Sequence, residues 1–570
     1  MKTHTADCDV LVIGSGAAGL ATAVRAAWHG LRVIVIEKEA VFGGATAWSG
    51  GWLWIPRNPL AREAGIDEDP QAPKTYLRNE LGEHYDESRV DAFLDAGPAM
   101  VEFFHRNTAL QFLPGNTVPD FHGNIDGAGT GGRSVTAAPF NGRELGPMID
   151  QLRPPLKEMS FWGMGIASGQ DLGHFLKFLR SVPSTWHVCK RMTRHLLDLA
   201  LHRRGMLLVN GNALVARLAR SALDLSVEIR LSTTVETLVK DKDGRVTGAM
   251  VATTEGLQEI HARAGVVLAC GGFPHDKKRI KQLFPHAPTG AEHYSAAPKT
   301  NTGDGIRLGE TAGGQLEDGY PAAGAWAPVS LVQRESGETA HFPHLMERAK
   351  PGLIAVTRSG KRFVNEADSY HDFVQALLDA CPTGEPVEAW LVCDHRFLRR
   401  YGLGNIKPFP LPFGSHLRDG YLKRGNSPAA LALACGLDTA GLQTTLDNYN
   451  RHARNGQDPE FGRGDTAYNR IQGDADQQPN PCVAPIDQAA LYAVQVRPGS
   501  LGTFAGLKTD AVARVLNGDG DPVSGLYAVG TDMASIMAGH YPAGGINLGP
   551  AMTFGFIAAN HIASHQKPSS

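Results

Sequence analysis

Apolar and polar residues near the start of the chain follow a pattern of short buried strands around one helix. Residues 8–13 are mostly apolar and predict a buried strand, and the glycine-rich residues 14–19 follow at once. Residues 20–29 predict a helix, and residues 32–36 predict a second strand that ends at Glu37. Strand, glycine turn, helix, strand and acidic residue is the order that a dinucleotide-binding unit requires.

The glycine turn and the segment after Glu37 together favour FAD. The glycines allow a tight turn and let a pyrophosphate approach the helix N-terminus, and Glu37 can accept hydrogen bonds from the adenosine ribose. A glycine turn alone is weak evidence, because any βαβ unit can contain one. Residues 42–51 are mostly small or hydroxyl-bearing, which suits a flavin and its ribityl chain. We therefore predict non-covalently bound FAD.

The C-terminal part of the chain supplies a matching pattern. Residues 525–532 predict a strand that ends in a glycine and an acid, and residues 544–550 open a helix that runs to about residue 561. Pro550 suits the first turn of this helix. A helix N-terminus that faces the flavin pyrimidine would stabilise the negative charge of reduced flavin. We expect the first and last segments to share one domain, with other material inserted between them.

The middle of the chain continues as an α/β pattern and then changes. We expect Thr302 or Asp304 to cap a helix that follows residues 301–305. Residues 455–480 are polar and glycine-rich and predict a surface loop. The other predicted elements of this region are a helix at 212–223, strands at 227–231, 235–239, 246–253 and 266–269, a small-residue turn at 270–273, and an α+β mixture from about 326 to 499.

Length and composition set the domain organisation and exclude several classes of protein. A chain of 570 residues is too long for one hydrophobic core. We predict an α/β fold in which a Rossmann-like FAD-binding domain, residues 1–325 and 500–570 with a helical excursion at about 150–205, is interrupted by an α+β catalytic domain, residues 326–499. The net charge of -3 gives no reason to expect nucleic-acid binding.

The cysteines and the apolar runs bear on metals and location. The seven cysteines are scattered without a CxxC pair, so we expect no metal site and no disulfide framework. No stretch of about 18 apolar residues is present, and the first residues have no apolar signal core. We expect a cytoplasmic protein.

With these segments in hand, the chain resembles the 3-ketosteroid delta-1-dehydrogenases. This family belongs to the fumarate-reductase- and succinate-dehydrogenase-like flavoproteins, and the resemblance covers nearly the whole chain. The segments that carry it are GSGAAG at 14–19, IEKEAVFGGATAWSGGWLWIP at 36–56, LVNGNALVARL at 208–218, NTGDG at 301–305, KRFVNEADSY at 361–370, GLYAVGTD at 525–532 and YPAGGINLG at 541–549.

The resemblance implies roles for individual residues. In the family a tyrosinate-like base removes a proton beside a ring ketone, flavin N5 takes a hydride from the next carbon, and a second tyrosine and a backbone N–H polarise the ketone. The base matches Tyr370, and the ketone-binding pair matches Tyr541 and the N–H of Gly545. Phe121 stands where the family has a further tyrosine that supports the base. His122 is our candidate to take over that hydrogen bond or to carry the proton.

The same comparison of segments gives a set of expected cofactor-binding residues. They are Gly14, Ser15, Gly16, Ala17, Ala18, Gly19, Glu37, Lys38, Gly43, Gly44, Ala45, Thr46, Ser49, Gly50, Gly51, Val235, Gly271, Gly272, Asp304, Gly530, Asp532, Asn547 and Leu548.

The leading function is an FAD-dependent dehydrogenase that introduces a C=C bond next to the carbonyl of a small apolar cyclic ketone. A 3-oxosteroid desaturated at positions 1 and 2 is the first candidate, and the sequence does not identify the electron acceptor. One alternative is a smaller cyclic ketone or a 5α-steroid desaturated at position 4. Another is a fumarate-reductase-like enoate reductase, for which Arg362 is the candidate acid. A flavin-binding protein without catalysis is the third.

Residues 174–204 combine aromatic and leucine side chains with seven lysines and arginines. We interpret them as a helical hairpin that packs on the protein with a solvated basic face. The alternative is a peripheral contact with an anionic membrane surface, since basic amphipathic helices bind such surfaces.

Overall fold

Two large β-sheets, one mostly parallel and one antiparallel, organise the chain in the computed structural model. The structure describes residues 5–488 and 490–565. The outer ends of the predicted FAD-binding domain, residues 1–4 and 566–570, lie outside the described residues.

The strands of the described part are, in chain order, β1 (Thr5–Ile13), β2 (Val33–Ile36), β3 (Trp52–Trp54), β4 (Phe112–Gly115), β5 (Ser134–Ala137), β6 (Phe140–Asn141), β7 (Leu207–Leu208), β8 (Glu228–Arg230), β9 (Thr234–Lys240), β10 (Val246–Thr253), β11 (Gly256–Leu268), β12 (Leu316–Glu317), β13 (Gly324–Gln333), β14 (Thr339–Pro343), β15 (Leu353–Val356), β16 (Ala389–Asp394), β17 (Lys423–Gly425), β18 (Leu491–Thr503), β19 (Gly506–Leu507), β20 (Arg514–Leu516) and β21 (Pro522–Ala528).

The α-helices are α1 (Ala17–Trp28), α2 (Pro59–Glu63), α3 (Ala72–Leu81), α4 (Glu87–Asn107), α5 (Gln170–Leu176), α6 (Val182–His202), α7 (Asn210–Asp224), α8 (Lys277–Leu283), α9 (Asp304–Thr311), α10 (Tyr370–Ala380), α11 (His395–Tyr401), α12 (Gly414–Arg418), α13 (Pro428–Cys435), α14 (Thr439–Ala453), α15 (Ala467–Gln472) and α16 (Leu548–Ser564). Short 3-10 helices include Gly44–Trp48, Glu347–Ala349 and Gly530–Asp532.

The parallel sheet joins the two ends of the chain. Its strands lie in the order β20-β21-β11-β1-β2-β8, with β10 and β9 added beside β11. Val12 of β1 pairs with Val35 of β2 and with Val267 of β11, and Val267 in turn pairs with Tyr527 of β21. The paired segments at 10–13, 33–36 and 266–268 are apolar and buried, because helices cover both faces of such a sheet. The α/β fold that the sequence predicts is confirmed.

Helix α16 packs against α1 and α4, so C-terminal residues lie directly on the N-terminal helix. A side chain at Gly555 would come within 2.8 Å of Ala18 O and Thr22 Oγ1. The absence of a Cβ at this position therefore sets how closely α16 approaches α1.

The antiparallel sheet lies in the order β14-β13-β18-β16-β15, with β17 paired to β18. Helix α10, which begins at Tyr370, packs on β13 and β18. Because β13 and β18 run across the expected boundaries at 325/326 and 499/500, the division into domains stays a prediction.

Three local expectations are wrong. The strand at 525–532 ends at Ala528, and Gly530, with φ 65°, begins a 3-10 turn. Neither Thr302 nor Asp304 caps α9: the N-cap is Gly303 without a side-chain bond, and Asp304 pairs with Lys38 at 2.5 Å. The predicted surface loop at 455–480 contains α15 and fully buried polar residues.

Candidate active site

The first glycine turn closes tightly over the end of the parallel sheet. Gly14 has φ 112°, and a Cβ at this position would lie 2.1 Å from Ala269 O, so only glycine fits. The next helix, α1, has Gly16 as its N-cap and no capping side chain. Of its first N–H groups, that of Ala17 donates to Thr46 Oγ1 at 3.0 Å. Unpaired N–H groups at a helix start are ready to bind an anion.

Glu37 lies at the end of β2 and fixes this turn from the side. The Ser15 hydroxyl donates to Glu37 Oε2 at 2.5 Å, and the Gly43 N–H donates to Ser15 Oγ at 3.1 Å. Glu37 also lines the cavity described next. The turn, the acidic strand end and the following segment are therefore one hydrogen-bonded unit.

A continuous cavity of about 1940 Å³ runs from the glycine turns to a cluster of tyrosines. Most of the expected cofactor residues line it: Gly14, Ser15, Gly16, Ala17, Ala18, Glu37, Lys38, Gly44, Ala45, Thr46, Ser49, Gly50, Gly51, Val235, Gly271, Asp304, Gly530, Asn547 and Leu548.

Four of the expected cofactor residues do not line the cavity but shape its wall. A Cβ at Gly19 would lie 2.1 Å from Gly14 O, and the Gly43 N–H is bound to Ser15. Asp532 is fully buried and accepts the N–H groups of Cys270 at 2.5 Å and Gly272 at 3.0 Å. Its carboxylate therefore holds the 270–272 turn in place, and of the two glycines in that turn only Gly271 lines the cavity.

The wall of the cavity fits FAD. The glycine turn leaves room where a Cβ would stand, and the start of α1 offers unpaired N–H groups for a pyrophosphate. At the other end the N-cap of α16, Asn547, makes no side-chain cap bond, so this helix start also opens to the cavity.

Tyr541 stands near the start of α16 and is buried. Asn547 Nδ2 donates to the Tyr541 oxygen at 3.1 Å, so the hydroxyl hydrogen stays free to be donated into the cavity. Burial raises the pKa of Tyr541 to about 12. The group is therefore a hydrogen-bond donor at neutral pH.

Gly545 follows on the same connection and has φ 103°. A Cβ at this position would lie 2.6 Å from Trp54 N, so the glycine is required. Its carbonyl accepts the N–H groups of Trp54 at 3.1 Å and Gly549 at 2.9 Å. Its own N–H has no acceptor within residues 5–488 and 490–565, and Gly545 lines the cavity with Tyr541.

Tyr370 is the first residue of α10, whose N-cap Ser369 accepts the N–H of Asp372 at 3.1 Å. Its ring lies edge-on to that of Tyr541, with 4.9 Å between centroids. Burial holds the pKa of Tyr370 well above its ordinary value, and the charge of Arg348 acts in the opposite direction. The structure thus brings Tyr370, which the resemblance assigns as the base, beside Tyr541 of the ketone-binding pair.

Phe121 occupies the centre of this cluster. Its ring centroid lies 5.7 Å from that of Tyr370 and 5.8 Å from that of Tyr541, to which it is nearly parallel. The Phe121 N–H donates to Pro542 O at 2.8 Å, which ties Phe121 to the segment that carries Tyr541 and Gly545.

His122 does not line the cavity. Its Nδ1 lies 2.6 Å from Glu80 Oε1 and its Nε2 lies 2.8 Å from Asp372 Oδ2. Burial lowers its pKa, but the hydrogen bonds to Asp372 and Glu80 outweigh that effect and raise the pKa to about 10. Both ring nitrogens are therefore protonated donors with carboxylate acceptors. His122 cannot take over the hydrogen bond to the base, because both nitrogens are already used.

Tyr468 is the residue of the cluster that the sequence did not reveal. It lies in α15, lines the cavity, and its ring centroid is 4.3 Å from that of Phe121. The only sequence signal was an aromatic residue within the polar stretch 455–480.

Arg362, the candidate acid for an enoate reductase, is committed elsewhere. It is buried and pairs with Glu366 and with Asp458, each at 2.7 Å, and it does not line the cavity. Asn365 and Glu366 fix the same region: Asn365 donates to Asn469 Oδ1, and Glu366 accepts from Arg362. Arg362 is therefore not placed to act as the acid that enoate reduction needs.

Comparisons with known proteins show the family of the chain. The model of the family described as FAD binding domain matches residues 9–548, and the chain belongs to that family. It is an FAD-dependent oxidoreductase of the group that acts on CH–CH bonds, so the cofactor prediction is confirmed.

Two relatives whose names give different ring-ketone substrates match nearly the whole chain. A 4-oxocyclohex-2-ene-1-carboxylate 5-dehydrogenase of Sinomonas cyclohexanicum is 39% identical, over 99% of this chain and 95% of its own. A 3-oxosteroid 1-dehydrogenase of Mycobacterium tuberculosis is 35% identical, over 97% of this chain and 98% of its own.

A solved structure of a 3-ketosteroid dehydrogenase is similar over nearly the whole chain. The 3-ketosteroid delta1-dehydrogenase of Sterolibacterium denitrificans, in complex with 1,4-androstadiene-3,17-dione, is 36% identical with a TM-score of 0.90, over 98% of this chain and 100% of that one. A flavocytochrome c3 fumarate reductase at 20% identity and TM-score 0.62, over 98% of this chain and 78% of that one, shares the fold. The resemblance to the ketosteroid dehydrogenases is confirmed.

Proposed function

We propose that the chain is a dehydrogenase that forms a C=C bond next to the carbonyl of a ring ketone. The observation that carries the proposal is the pair of free donors, the Tyr541 hydroxyl and the Gly545 N–H, on one connection that faces the cavity. Two preorganised donors stabilise the oxygen charge that develops when a proton leaves the carbon beside a ketone.

Tyr370 is the base in this proposal. Its ring contacts that of Tyr541, so a ketone held by Tyr541 presents its adjacent carbon to Tyr370. A tyrosine, whose ordinary pKa is near 10, must be activated to remove such a proton, and burial raises the pKa of Tyr370 further. The buried charge of Arg348 acts against that increase.

FAD would be held by the residues at the glycine-turn end of the cavity, around Gly14 and Gly271, with the pyrophosphate at the first glycine turn and the start of α1. When bound, FAD supplies the acceptor for the hydride that leaves the next carbon. The start of α16 would face the flavin and favour its negative reduced form.

A 3-oxosteroid desaturated at positions 1 and 2 is the leading substrate, because the cavity is large and the relatives that act on 3-oxosteroids match nearly the whole chain. The test is anaerobic flavin bleaching and turnover of 4-androstene-3,17-dione with an artificial acceptor. Bleaching by no ring ketone at all would contradict the proposed reaction.

A smaller ring ketone with a carboxylate is the second candidate, because Lys407 lines the same cavity. Its Nζ donates to Glu158 O at 2.6 Å, and burial lowers its pKa to about 8. A cation there would bind a carboxylate. Turnover of 4-oxocyclohex-2-ene-1-carboxylate without turnover of the steroid would select this candidate, and K407M should then raise KM for the carboxylate but not for cyclohexanone.

We infer in addition that α6 contacts an anionic lipid surface. Helices α5 and α6 pack together as a hairpin, and α6 exposes Val182 by 85%, Trp186 by 73% and Leu201 by 73% beside the exposed Lys190 and Arg194. None of the helices in the described part is long and apolar enough to span a bilayer.

Sedimentation with anionic liposomes tests the lipid contact. The wild type should co-sediment at low salt, and the double variant W186S/L201S should not. L433S is the control, because Leu433 is 78% exposed on another helix. A wild type that stays in the supernatant at low salt would contradict the contact.

A further inference from the structure

Two partly buried lysines line the cavity, and their ammonium groups contact only main-chain oxygens. Lys350 Nζ donates to the carbonyl oxygens of Gln472 and Gly473, each at 2.7 Å. Lys407 Nζ donates to the Glu158 carbonyl oxygen at 2.6 Å. Within the described residues, neither lysine forms an ion pair with a carboxylate.

Both ammonium groups keep N–H donors for a ligand. An ammonium group has three donors, and the contacts within the described residues use two at Lys350 and one at Lys407. A cation that leaves water without a counter-ion loses stability in its charged form. Burial accordingly lowers the pKa of Lys350, and it lowers the pKa of Lys407 to about 8. An anion bound in the cavity would reverse that loss.

Glu347 also lines the cavity and places the two lysines in one corner. Its charge raises the pKa of both lysines against the effect of burial, so both lie near it. Its carboxylate is taken by His344, whose Nδ1 lies 2.7 Å from Glu347 Oε1. Lys350, Lys407 and Glu347 together form the lysine corner, in which two ammonium groups and one carboxylate leave an excess of positive charge.

The two other carboxylates whose charges reach these lysines have cations of their own. Asp474, near Lys350, pairs with Arg400 at 2.6 Å, and the Glu158 carboxylate pairs with Arg334 at 2.7 Å. Within the part of the chain that the structure describes, no carboxylate is therefore left to neutralise the lysine corner.

Helix α15 connects the lysine corner with the tyrosine cluster. Tyr468 lies near the start of α15 and packs against Phe121, and the Gln472 carbonyl at its end accepts from Lys350. Tyr468 and Gln472 both line the cavity. Four residues advance about 6 Å along a helix axis, so the two places lie on one wall, within reach of a single substrate molecule.

We propose that Lys350 and Lys407 form a carboxylate-binding subsite, and that the substrate is a ring ketone with a carboxylate at the end remote from its carbonyl group. The inference rests on the proposed function and deepens it, because it defines the substrate class by contacts that the tyrosine cluster does not make. The carboxylate accepts charge-assisted hydrogen bonds from the remaining N–H groups, while Tyr541 and Gly545 hold the ketone. Either a single ring or a steroid skeleton can carry such a carboxylate.

The test compares each carboxylate with its primary amide, which has nearly the same shape and no charge. The FAD-loaded enzyme is assayed with 4-oxocyclohexanecarboxylate and its amide, and with 3-oxochol-4-en-24-oate and its amide. We expect kcat/KM to favour the carboxylate by about tenfold or more in one of the two pairs, the usual effect of a hydrogen bond to a charged group. The pair that shows the preference gives the size of the ring system. Equal kcat/KM for carboxylate and amide in both pairs would overturn the proposal.

K350Q and K407Q remove a charge but keep an N–H donor for the carbonyl oxygens. Each should reduce the preference for the carboxylate, and K350Q/K407Q should treat carboxylate and amide alike. K240Q is the matched control, because Lys240 Nζ also donates to a carbonyl oxygen at the end of a helix, that of Ala312 at 2.8 Å, but does not line the cavity. A preference that survives in the double variant would overturn the assignment to these lysines.

Calorimetric titration of the FAD-loaded enzyme with cyclohexanecarboxylate separates this inference from the proposed function, because this probe has no ketone to oxidise. The wild type and K240Q should bind it about tenfold or more tightly than K350Q/K407Q does. Equal affinities, or no binding to the wild type, would overturn the subsite. Flavin bleaching by no ring ketone would instead contradict the proposed function and leave the titration unchanged.

Discussion

The two ends of the cavity are built by different means. At the glycine-turn end, backbone turns at Gly14 and Gly271 and the starts of two helices form the wall, and side chains mainly hold those turns in place. At the tyrosine end, aromatic side chains from four separate segments meet, those of Phe121, Tyr370, Tyr468 and Tyr541. The backbone wall leaves no room for a Cβ at Gly14 or Gly271, whereas the tyrosine end depends on the side chains that distant segments bring together.

The largest effect should follow from filling the backbone wall. G14A places a Cβ 2.1 Å from Ala269 O in a left-handed conformation, so we expect loss of bound FAD after gel filtration, measured by flavin absorbance. G30A is the control, because Gly30 also has a positive φ, 82°, but nothing lies within 4 Å of the added Cβ. A G14A protein that retains full flavin would contradict the contrast between the two ends.

A smaller but still large effect should follow from removing one hydrogen-bond donor, the Tyr541 hydroxyl, at the tyrosine end. Y541F should retain FAD and lose about 10²–10³-fold in kcat, the usual cost of one donor to a developing oxyanion. Steady-state turnover with an artificial acceptor measures it. Y527F is the control, because Tyr527 bonds to His561 outside the cavity. Equal kcat values for Y541F and Y527F would remove Tyr541 from the site.

A moderate, pH-dependent effect is expected at His122, which follows Phe121 in the chain and does not line the cavity. Its hydrogen bonds raise its folded pKa to about 10 from 6.5, so the stability that it contributes is fully present below about pH 6.5 and is lost as the pH rises through 10. H122Q should therefore lower Tm most near pH 6, and the difference from the wild type should shrink toward pH 10. A constant difference would show that His122 is neutral in the folded protein.

The smallest effect should come from the partly exposed ion pair of Lys38 and Asp304 at the glycine-turn end. Lys38 and Asp304 are each more than a quarter exposed, and exposed pairs contribute about 0–1 kcal/mol. K38M should thus change stability by less than about 1 kcal/mol in urea unfolding and leave flavin bound. A loss of flavin equal to that of G14A would show that Lys38 holds the cofactor directly.

The sequence allowed more to be predicted at the glycine-turn end of the cavity than at the tyrosine end. Glycine turns and helix starts are local, so their residues stand together in the chain, as at 14–19. The tyrosine end depends on residues that are distant in the chain. Residues 455–480 are polar because Arg463 and Asp458 satisfy buried charges on Glu366 and Arg362, although polar stretches usually face water. For that reason the sequence did not identify Tyr468 as a cavity residue, since it lies within a stretch that predicted a surface loop.

The position of β11 between β1 and β21 has a consequence for how the protein is made. Leu268 pairs with Ile13 on one side and with Ala528 on the other. A growing chain on the ribosome can form the first of these pairings early, but the second edge stays unpaired until residues 522–528 have been synthesised. Helix α16, which completes the cavity, comes later still. The nascent enzyme therefore cannot close around its cofactor until residues 548–564 have been synthesised, so FAD is loaded only after both sheets have left the ribosome.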